Sequence, residues 1–337
     1  MLKNKWFLNS DQPLSPLAFG SAPIGKLYES LSDDLALDTV NAALKAGMNV
    51  IDTAPYYGFG LSEKRLGQAL YDRAKPFIST KVGRLLVPNN SVASSTEGEP
   101  FQSIFDYSYD GVMRSIESSM KRLNTDYIDL VLAHDIDKAT HGDQYKAAHR
   151  TFFDSGYQAL AELKECGAVG SIGIATQDCE VLVDAAKETA FDCFLVAGRY
   201  TLLDCSANQE LFPVCQERGI KIIVAAPFNS GILASGVSGT TRPHYNYGTA
   251  PTHIIQQVQK IQDVCVQFST TLPAAALQFS MAHPQVSCVV AGFSSPAEIK
   301  QAMRASSQTI PEEFWHTLIE KRLIAPELPV PQSSVAC

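Results

Sequence analysis

The sequence lacks the features that mark several large classes of protein. No cluster of lysine and arginine is longer than a dipeptide, and the formal net charge is −8, so nucleic acid is not expected as a partner. No apolar run reaches the roughly 18–20 residues that cross a bilayer. The first residues also lack the apolar core of about 7–15 residues that signal peptides carry. We therefore predict a cytoplasmic protein that contacts neither nucleic acid nor membrane.

Patterns typical of metal sites are also missing. The eight cysteines form no CxxC pair and no spacing typical of zinc ligands. Several lie inside apolar runs such as CFLVAG and SCVVAG, where a free thiol packs as a small hydrophobic group. The spacing of His134, His141 and His149 fits no common metal site either. We expect no metal.

Short β-branched runs alternate along the chain with longer amphipathic segments. Runs that are apolar nearly throughout are typical of strands in a buried parallel sheet. Eight strand–helix units predict an α/β protein, a single-domain (β/α)8 TIM barrel, over residues 1–325, followed by a loosely ordered Pro-rich tail at 326–337. The eight predicted strands lie within 17–25, 49–54, 76–83, 127–135, 171–176, 193–200, 220–228 and 287–293.

Two segments, 84–109 and 136–153, are predicted to be long loops. Long connections in compact domains are commonly functional. Both segments follow strands, so both should lie at the C-terminal face of the barrel, where the active sites of this fold are built.

Polar residues interrupt the apolar strands at their carboxyl ends. Asp52, Lys81 and His134 end the second, third and fourth strands, and Tyr56 and Tyr57 follow the first of these. Each residue alone has a structural explanation, as a loop or helix cap, a solvent-reaching lysine or a hydrogen-bonded core histidine. Neighbouring strands lie ~4.8 Å apart, however, so all of these side chains can converge at the barrel mouth.

Together these residue types suit general acid–base chemistry. An ammonium within about 4–6 Å of a phenol lowers the pKa of the phenol. A nearby carboxylate keeps a buried lysine protonated, and a histidine can orient the substrate oxygen or relay a proton. The set is therefore predicted to move one proton on or off an oxygen.

The motifs DTAPYYG-x-x-x-SE (52–63), STK (79–81) and DLVLAHD (129–135) resemble those of the aldo-keto reductases, and the resemblance extends over about residues 14–325. It is strongest to the branch of NAD-linked dehydrogenases that act on L-fucose, D-threo-aldoses, L-galactose or pyridoxal. The resemblance implies a nicotinamide cofactor and a catalytic tetrad of Asp52, Tyr57, Lys81 and His134.

Several positions depart from the family pattern. Ala175, Ala197 and Ala225 stand where family members place groups that hold or stack on the nicotinamide, which leaves Thr176 as the hydrogen-bonding side chain. The resemblance implies cofactor contacts with Gly20, Ser21, Asp52, Thr176, Pro227, Phe228, Asn229, Ser230, Gly231, Ile232, Gly292, Ser294, Glu298 and Gln301.

The cofactor is predicted to be NAD in preference to NADP. Members that bind NADP pair its 2′-phosphate with Lys and Arg, and Gly292 and Glu298 occupy those positions here. A 2′-phosphate carries about −1.5 to −2 charge, so a carboxylate without a base would oppose it. A carboxylate can instead accept hydrogen bonds from the ribose diol. Lys300 is the cation that could reverse this preference.

The substrate is predicted to be a small sugar or sugar-like alcohol, because carboxylates and aromatic rings suit a polyhydroxylated ligand. Its predicted contacts are Tyr56, Arg84, Asp135 and Tyr200. The predicted reaction is oxidation of the C1 hydroxyl of a cyclic aldose to a lactone, by a monomer or homodimer. Alternatives are oxidation of pyridoxal or another alcohol, carbonyl reduction, a cofactor-binding redox sensor without turnover, and a phosphate-handling barrel isomerase, which the isolated glycines after the last two strands disfavour.

Overall fold

The computed structural model describes residues 13–25, 31–73, 75–89, 101–239, 242–246 and 248–332. Within these residues the strands are β1 (Leu17–Gly20), β2 (Val50–Asp52), β3 (Phe77–Val82), β4 (Arg84–Pro88), β5 (Phe101–Phe105), β6 (Ile128–His134), β7 (Val169–Thr176), β8 (Cys193–Ala197), β9 (Lys221–Ala225), β10 (His244–Tyr245), β11 (Gly248–Thr249) and β12 (Val286–Gly292). The helices are α1 (Asp33–Lys45), α2 (Leu61–Ala69), α3 (Tyr109–Leu123), α4 (Lys138–His141), α5 (Tyr145–Thr151), α6 (Tyr157–Glu165), α7 (Cys179–Glu188), α8 (Leu211–Arg218), α9 (Ile232–Ser235), α10 (Thr252–Gln267), α11 (Leu272–Ala282), α12 (Pro296–Ser307) and α13 (Glu312–Glu320).

Eight parallel strands close into a barrel in the order β1–β12–β9–β8–β7–β6–β3–β2. Closure occurs where β1 pairs with β12, in the register Leu17 with Val289 and Gly20 with Gly292. A small apolar cluster that includes Leu130, Leu132 and Ile223 packs inside the barrel. A larger cluster lies between the strands and the surrounding helices. The predicted single-domain (β/α)8 TIM barrel is confirmed.

Local sequence accounts for the helix boundaries. The side chain of Ser32 accepts a hydrogen bond from the Leu35 amide and caps α1, whose first turn carries two aspartates. The buried face of this helix includes Ala36, Val40 and Ala43, at the spacing of an amphipathic helix.

The two predicted long loops have regular structure of their own. In the first, β4 and β5 form an antiparallel hairpin, with residues 90–100 outside the described part. The second is helical, because Asp137 accepts a hydrogen bond from the Thr140 amide and caps α4. A π-helical turn, Phe152–Gly156, then continues into α6, and Phe152 is buried. The prediction of a loop at 136–153 was wrong because it overlooked this cap and the buried aromatic residue.

The C-terminal region also differs from expectation. Helix α13 was not predicted, and it buries Phe314, Trp315 and Leu318. Beyond it, in the stretch expected to be a loosely ordered tail, Leu328 is buried in the outer core and Val330 packs against that core, whereas Pro326, Glu327 and Gln332 are exposed. Residues 333–337 lie outside the described part. Among the described helices, none combines the length and the apolar character that a membrane span requires.

Candidate active site

Three neighbouring strands bring polar side chains to one side of the barrel mouth. β2 ends at Asp52, β3 carries Lys81 one residue before its end, and β6 ends at His134. These strands are adjacent in the barrel, with Asp52 in register with Ser79 and Lys81 in register with Leu132. The structure thus brings together the strand-end residues that the sequence predicted to converge.

Lys81 is the centre of the cluster. Its Nζ lies 2.7 Å from Asp52 Oδ2, 2.8 Å from the carbonyl oxygen of Thr53 and 3.2 Å from the hydroxyl oxygen of Tyr57. The side chain is almost fully buried, and these three acceptors match the three protons of an ammonium group. The second oxygen of Asp52 accepts a hydrogen bond from Ser79 Oγ at 3.0 Å. Every polar atom of the buried pair therefore has a partner.

The protonation of this pair is set by burial and by its neighbours. Burial lowers the pKa of Lys81, but Asp52 and Tyr57 outweigh that effect and raise it above its usual value, so the ammonium is retained. Burial raises the pKa of the Tyr57 phenol, and Lys81 only partly opposes it, so the net pKa lies above 10.0. The prediction of a depressed phenol pKa included the ammonium charge of Lys81 but not the loss of water around the hydroxyl, which has the larger effect.

His134 lies beside the phenol as a neutral imidazole. Its ring is perpendicular to that of Tyr57, with the ring centroids 6.0 Å apart. Burial, Lys81 and Arg84 lower the pKa of His134 well below 6.5, so the ring is uncharged at neutral pH. A neutral imidazole can donate a hydrogen bond to a substrate oxygen without adding a charge to the site.

A glycine contact fixes the loop that carries Tyr57. Gly58 has a φ of +65°, and a Cβ at this position would lie 2.0 Å from the carbonyl oxygen of Gly25. Further along the motif, the buried Glu63 accepts hydrogen bonds from Thr80 Oγ1 at 2.6 Å and from Arg122 Nε at 2.7 Å. The conformation of the tyrosine loop therefore depends on a close backbone approach and on a buried carboxylate.

A charged pair between aromatic rings forms the wall next to His134. Arg84 Nη2 lies 2.7 Å from Asp135 Oδ2, and its guanidinium carbon is 4.2 Å from the ring centroid of Tyr56 and 5.1 Å from that of Phe105. Three of these four residues were predicted to contact substrate. Phe105 was missed because no pattern in the 84–109 segment indicated that it folds back as a hairpin.

Tyr200 is not part of this wall. It is fully buried in the outer core, where its ring stacks on Phe279 at 5.3 Å between centroids. The chain turns at Gly198, whose φ is +69°, before it reaches this residue. The predicted substrate contact is therefore not supported by its position.

A cavity of about 1110 Å³ opens beside the mouth, between the loop after β9 and the start of α12. This volume exceeds the roughly 300–1,000 Å³ of common ligand pockets and is suited to a long ligand. Its lining includes nine of the predicted cofactor contacts: Pro227, Phe228, Asn229, Ser230, Gly231, Gly292, Ser294, Glu298 and Gln301.

Comparison with known proteins decides the family. The model of the aldo/keto reductase family matches residues 16–322. The chain belongs to the aldo/keto reductase family. It is 37% identical to a pyridoxal 4-dehydrogenase of Microbacterium luteolum over 93% of this chain and 95% of that protein. It is also 37% identical to a D-threo-aldose 1-dehydrogenase of a Pseudomonas species, over 91% and 94%. An aldo-keto reductase of Bacillus halodurans, solved in its holo form, superposes with a TM-score of 0.74 at 25% identity over 99% of both chains.

Members of this family are oxidoreductases that use nicotinamide cofactors, and the cavity of this aldo-keto reductase fits such a group. Asn229 is 2% exposed and donates to the carbonyl oxygen of Gly198 at 3.3 Å, while its Oδ1 is buried with no hydrogen-bond partner. The same residue lines the large cavity and a neighbouring one of about 40 Å³. A buried acceptor without a partner is costly, so its position suits a ligand that donates a hydrogen bond.

Other predicted cofactor contacts have different roles. The hydroxyl of Thr176 donates to Asp137 Oδ2 at 2.6 Å, so its proton is already used. Ser21 Oγ accepts a hydrogen bond from Ser62 Oγ at 2.7 Å. Ile232 is buried in the outer core, and Gly20 lies within the closed barrel wall. None of these four residues lines the large cavity, and neither does Asp52, whose oxygens are bound by Ser79 and Lys81.

Two charged residues on α12 face the cavity. Both oxygens of Glu298 accept hydrogen bonds from Ser294, one from its amide at 2.7 Å and one from its hydroxyl at 2.9 Å. Arg304 also lines the cavity, whereas Lys300 does not. The cation that lines the cavity is therefore Arg304, and not Lys300, which was considered from the sequence. Arg304 could have been found by its spacing, since it lies one helical turn after Gln301 on the same face.

Proposed function

We propose that the enzyme oxidises the hemiacetal hydroxyl of a small cyclic substrate to a lactone, with NAD as cofactor. The observation that carries the proposal is the chain of buried contacts from Asp52 through Lys81 to the Tyr57 hydroxyl, beside a neutral His134. The proposal is supported by this arrangement, in which the Tyr57 oxygen carries the transferable proton, and by a cavity suited to a dinucleotide at the same end of the barrel, although none of the four tetrad residues lines that cavity. It is supported by relatives whose names describe alcohol or aldehyde dehydrogenation.

The residues divide the reaction between them. NAD, when bound, supplies the acceptor for the hydride that leaves the substrate carbon. Tyr57, as phenolate, takes the hydroxyl proton, so that the C–O bond becomes a carbonyl and charge is balanced. Lys81 stabilises the phenolate, and Asp52 keeps Lys81 protonated. His134 donates a hydrogen bond to the reacting oxygen and orients it.

The substrate class follows from chemistry that the two named substrates share. Pyridoxal and D-threo-aldoses are both aldehydes that carry a hydroxyl able to close a cyclic hemiacetal, and the two relatives are equally similar to this chain. Oxidation at that carbon gives a lactone in either case. The wall formed by Arg84, Asp135, Tyr56 and Phe105 offers charge for the hydroxyls and rings for the C–H faces. We place a cyclic aldose first and pyridoxal second.

NAD is proposed over NADP because Glu298 faces the cavity near Ser294, at the position where a phosphate-binding cation would be needed. A dianionic 2′-phosphate would meet this carboxylate, whereas a ribose diol would not be repelled. Arg304, on the same helix, also lines the cavity, and its charge would have to offset that of Glu298 if NADP were bound.

A second direction, carbonyl reduction, is favoured by the raised pKa of Tyr57. A phenol that keeps its proton at neutral pH is ready to donate it to a substrate oxygen. The same residues then act in reverse, and Tyr57 becomes the general acid.

The test is a panel of L-fucose, L-galactose, a D-threo-aldose and pyridoxal with NAD, followed at the nicotinamide absorbance. We expect turnover of at least one, and a loss of about 10²–10⁴-fold in Tyr57→Phe. The variant should bind NAD with an unchanged Kd, measured by quenching of intrinsic fluorescence. Unchanged turnover in the variant would remove Tyr57 from the mechanism. NAD binding without turnover of any alcohol or aldehyde would support a cofactor-binding sensor instead.

A further inference from the structure

The guanidinium of Arg84 is held from three sides. Tyr56 and Phe105 face it with their rings, and Asp135 binds one of its terminal nitrogens. Cation–π contacts of this kind fix both position and orientation. The side chain is 16% exposed, so the group lies within the wall and its charge is directed at the carboxylate.

Asp135 is set in an unusual backbone conformation beside His134. Its φ of +52° lies in the left-handed region, which a non-glycine residue rarely adopts without compensating contacts. Its amide donates to the carbonyl oxygen of Ala175 at 2.8 Å, which holds this conformation. Oδ2 lies 3.4 Å from His134 Nε2. The carboxylate is thereby directed to the same side of the site as the imidazole.

The two carboxylate oxygens of Asp135 are in different environments. Oδ2 is close to both Arg84 and His134, whereas Oδ1 makes no hydrogen bond with any described residue. The side chain is 25% exposed, so it remains accessible from the mouth. An ionised carboxylate has about four acceptor positions, and several of these stay free.

We propose that Asp135, positioned by Arg84, accepts a hydrogen bond from a hydroxyl on the carbon next to the reacting carbon, and so selects 2-hydroxy carbonyl compounds and their hemiacetals. This inference rests on the proposed function with an aldose as substrate, since pyridoxal has no hydroxyl on the carbon next to its aldehyde carbon. His134 orients the reacting oxygen, and Asp135 is the adjacent acceptor. Oxygens on neighbouring carbons lie about as far apart as two hydrogen-bonded atoms, about 2.7–3.2 Å. His134 Nε2 and Asp135 Oδ2 lie 3.4 Å apart, so the two side chains are close enough to face one such pair of oxygens.

Arg84 is a positioning residue in this scheme. Its charge is already directed at Asp135, so its role is to hold the carboxylate against His134 and not to bind an anion of its own. Removing Arg84 should therefore lower the preference for substrates that carry a 2-hydroxyl, as removing Asp135 should. A residue with only a structural role would reduce the turnover of all substrates equally.

The test compares 2-hydroxypropanal with propanal, which differ only in that hydroxyl, as substrates for reduction with NADH. We expect wild type to prefer 2-hydroxypropanal in kcat/KM by at least about tenfold, as for a hydrogen bond to a charged acceptor. In Asp135→Ala the ratio should fall to within about threefold of one, with Asp135→Asn in between. Arg84→Ala should also lower it. Asp143→Ala, which removes an exposed acid from the same segment, should leave it unchanged.

The outcomes separate the two proposals. Turnover of both aldehydes with the same ratio in wild type and in Asp135→Ala would overturn the role of Asp135 and leave the proposed function standing. A ratio that collapses only in Arg84→Ala would assign the selection to Arg84 and also overturn it. If neither aldehyde is reduced while a sugar of the panel is oxidised with NAD, the role of Asp135 fails and the proposed function stands; if no member of the panel is oxidised either, both proposals fail. Melting temperatures within a few degrees of wild type would show that the variants are folded.

Discussion

The set of Asp52, Lys81 and Tyr57 and the cofactor cavity differ in how completely their polar groups are paired. Around Lys81 each buried donor and acceptor has a partner, from Ser79 through Asp52 to Tyr57. In the cavity, Asn229 keeps an acceptor buried and unpaired. The set around Lys81 is thus fully paired without a ligand, whereas His134 Nδ1 beside it and Asn229 Oδ1 in the cavity are buried without a partner.

The largest effect should come from breaking the paired cluster. Lys81→Met removes the ammonium and leaves Asp52 as a buried carboxylate without its partner, which costs about 3–5 kcal/mol in the free energy of unfolding. Turnover should fall by at least about 10²–10⁴-fold. Denaturant unfolding and steady-state kinetics measure the two effects.

The double variant Asp52→Asn/Lys81→Met is the control for that experiment. Because both charges are removed together, stability should recover by more than half while activity stays lost. If the double variant is as unstable as Lys81→Met, the buried charge is not the cause of the instability.

Gly58→Ala should come next. The added Cβ would meet the Gly25 carbonyl oxygen and displace the adjacent Tyr57, and a shift of about 1 Å in a catalytic group can cost about 10²-fold in rate. Gly47→Ala is the matched control, since Gly47 also has a positive φ but nothing lies within 4 Å of the added Cβ. Equal kcat values for the two variants would argue against a steric role for the Gly25–Gly58 contact.

The paired cluster also predicts the pH dependence. Burial holds the pKa of Tyr57 above 10.0, so the phenol keeps its proton below that pH. The kcat/KM for reduction uses the protonated phenol. It should therefore not change with the protonation of Tyr57 through neutral pH, and it should fall above pH 10. The kcat/KM for oxidation, which uses the phenolate, should still rise with pH above pH 10. Profiles of kcat/KM in both directions from about pH 6 to about pH 11 test this. A plateau of oxidation near neutral pH would contradict it.

A smaller effect is expected from the open cavity. Asn229→Ala removes the unpaired acceptor and should raise the Kd for NAD by about tenfold, the usual worth of one buried hydrogen bond. Asn246→Ala, an exposed amide that lines only the smaller cavity, serves as control. Fluorescence quenching gives both constants without any turnover. The reverse order of effects would show that the acceptor of Asn229 is not used by the cofactor.

The smallest effect should be on cofactor choice. Glu298→Gln keeps the hydrogen bonds to Ser294 possible but removes the charge, so the preference for NAD over NADP should narrow by about threefold to tenfold. Glu313→Gln, in the first turn of α13, should leave the preference unchanged. The measurement is the ratio of kcat/KM values for the two cofactors. A wild type that prefers NADP would overturn the assignment of NAD.

Predictions from the sequence were more accurate for residues at strand ends than for residues placed by turns. Asp52, Lys81 and His134 lie at the ends of adjacent strands, and strand ends can be identified from a pattern of apolar runs. The barrel could be predicted for the same reason. Tyr57 was assigned from the spacing of a motif, but its raised pKa could not be, because burial depends on the whole surrounding shell.

Residues placed by turns were harder to predict. Tyr200 follows a strand by only three residues, yet the chain turns at Gly198 and directs it into the outer core. Thr176 is bound by Asp137, a contact between residues far apart in sequence. Phe105 reaches the wall because of a hairpin whose strands are separated by more than ten residues. Short-range patterns contain no information on such contacts.

The pairing of β1 with β12 has a consequence for how the enzyme is made. The large cavity is lined by Pro23, which follows the first strand, and by residues of α12, which follows the last. On the ribosome these two parts of the site emerge at opposite ends of synthesis, so a nascent chain has no complete place for the dinucleotide. The ligand therefore binds fully only after the barrel has closed, and its binding then stabilises the state in which both ends of the chain have met.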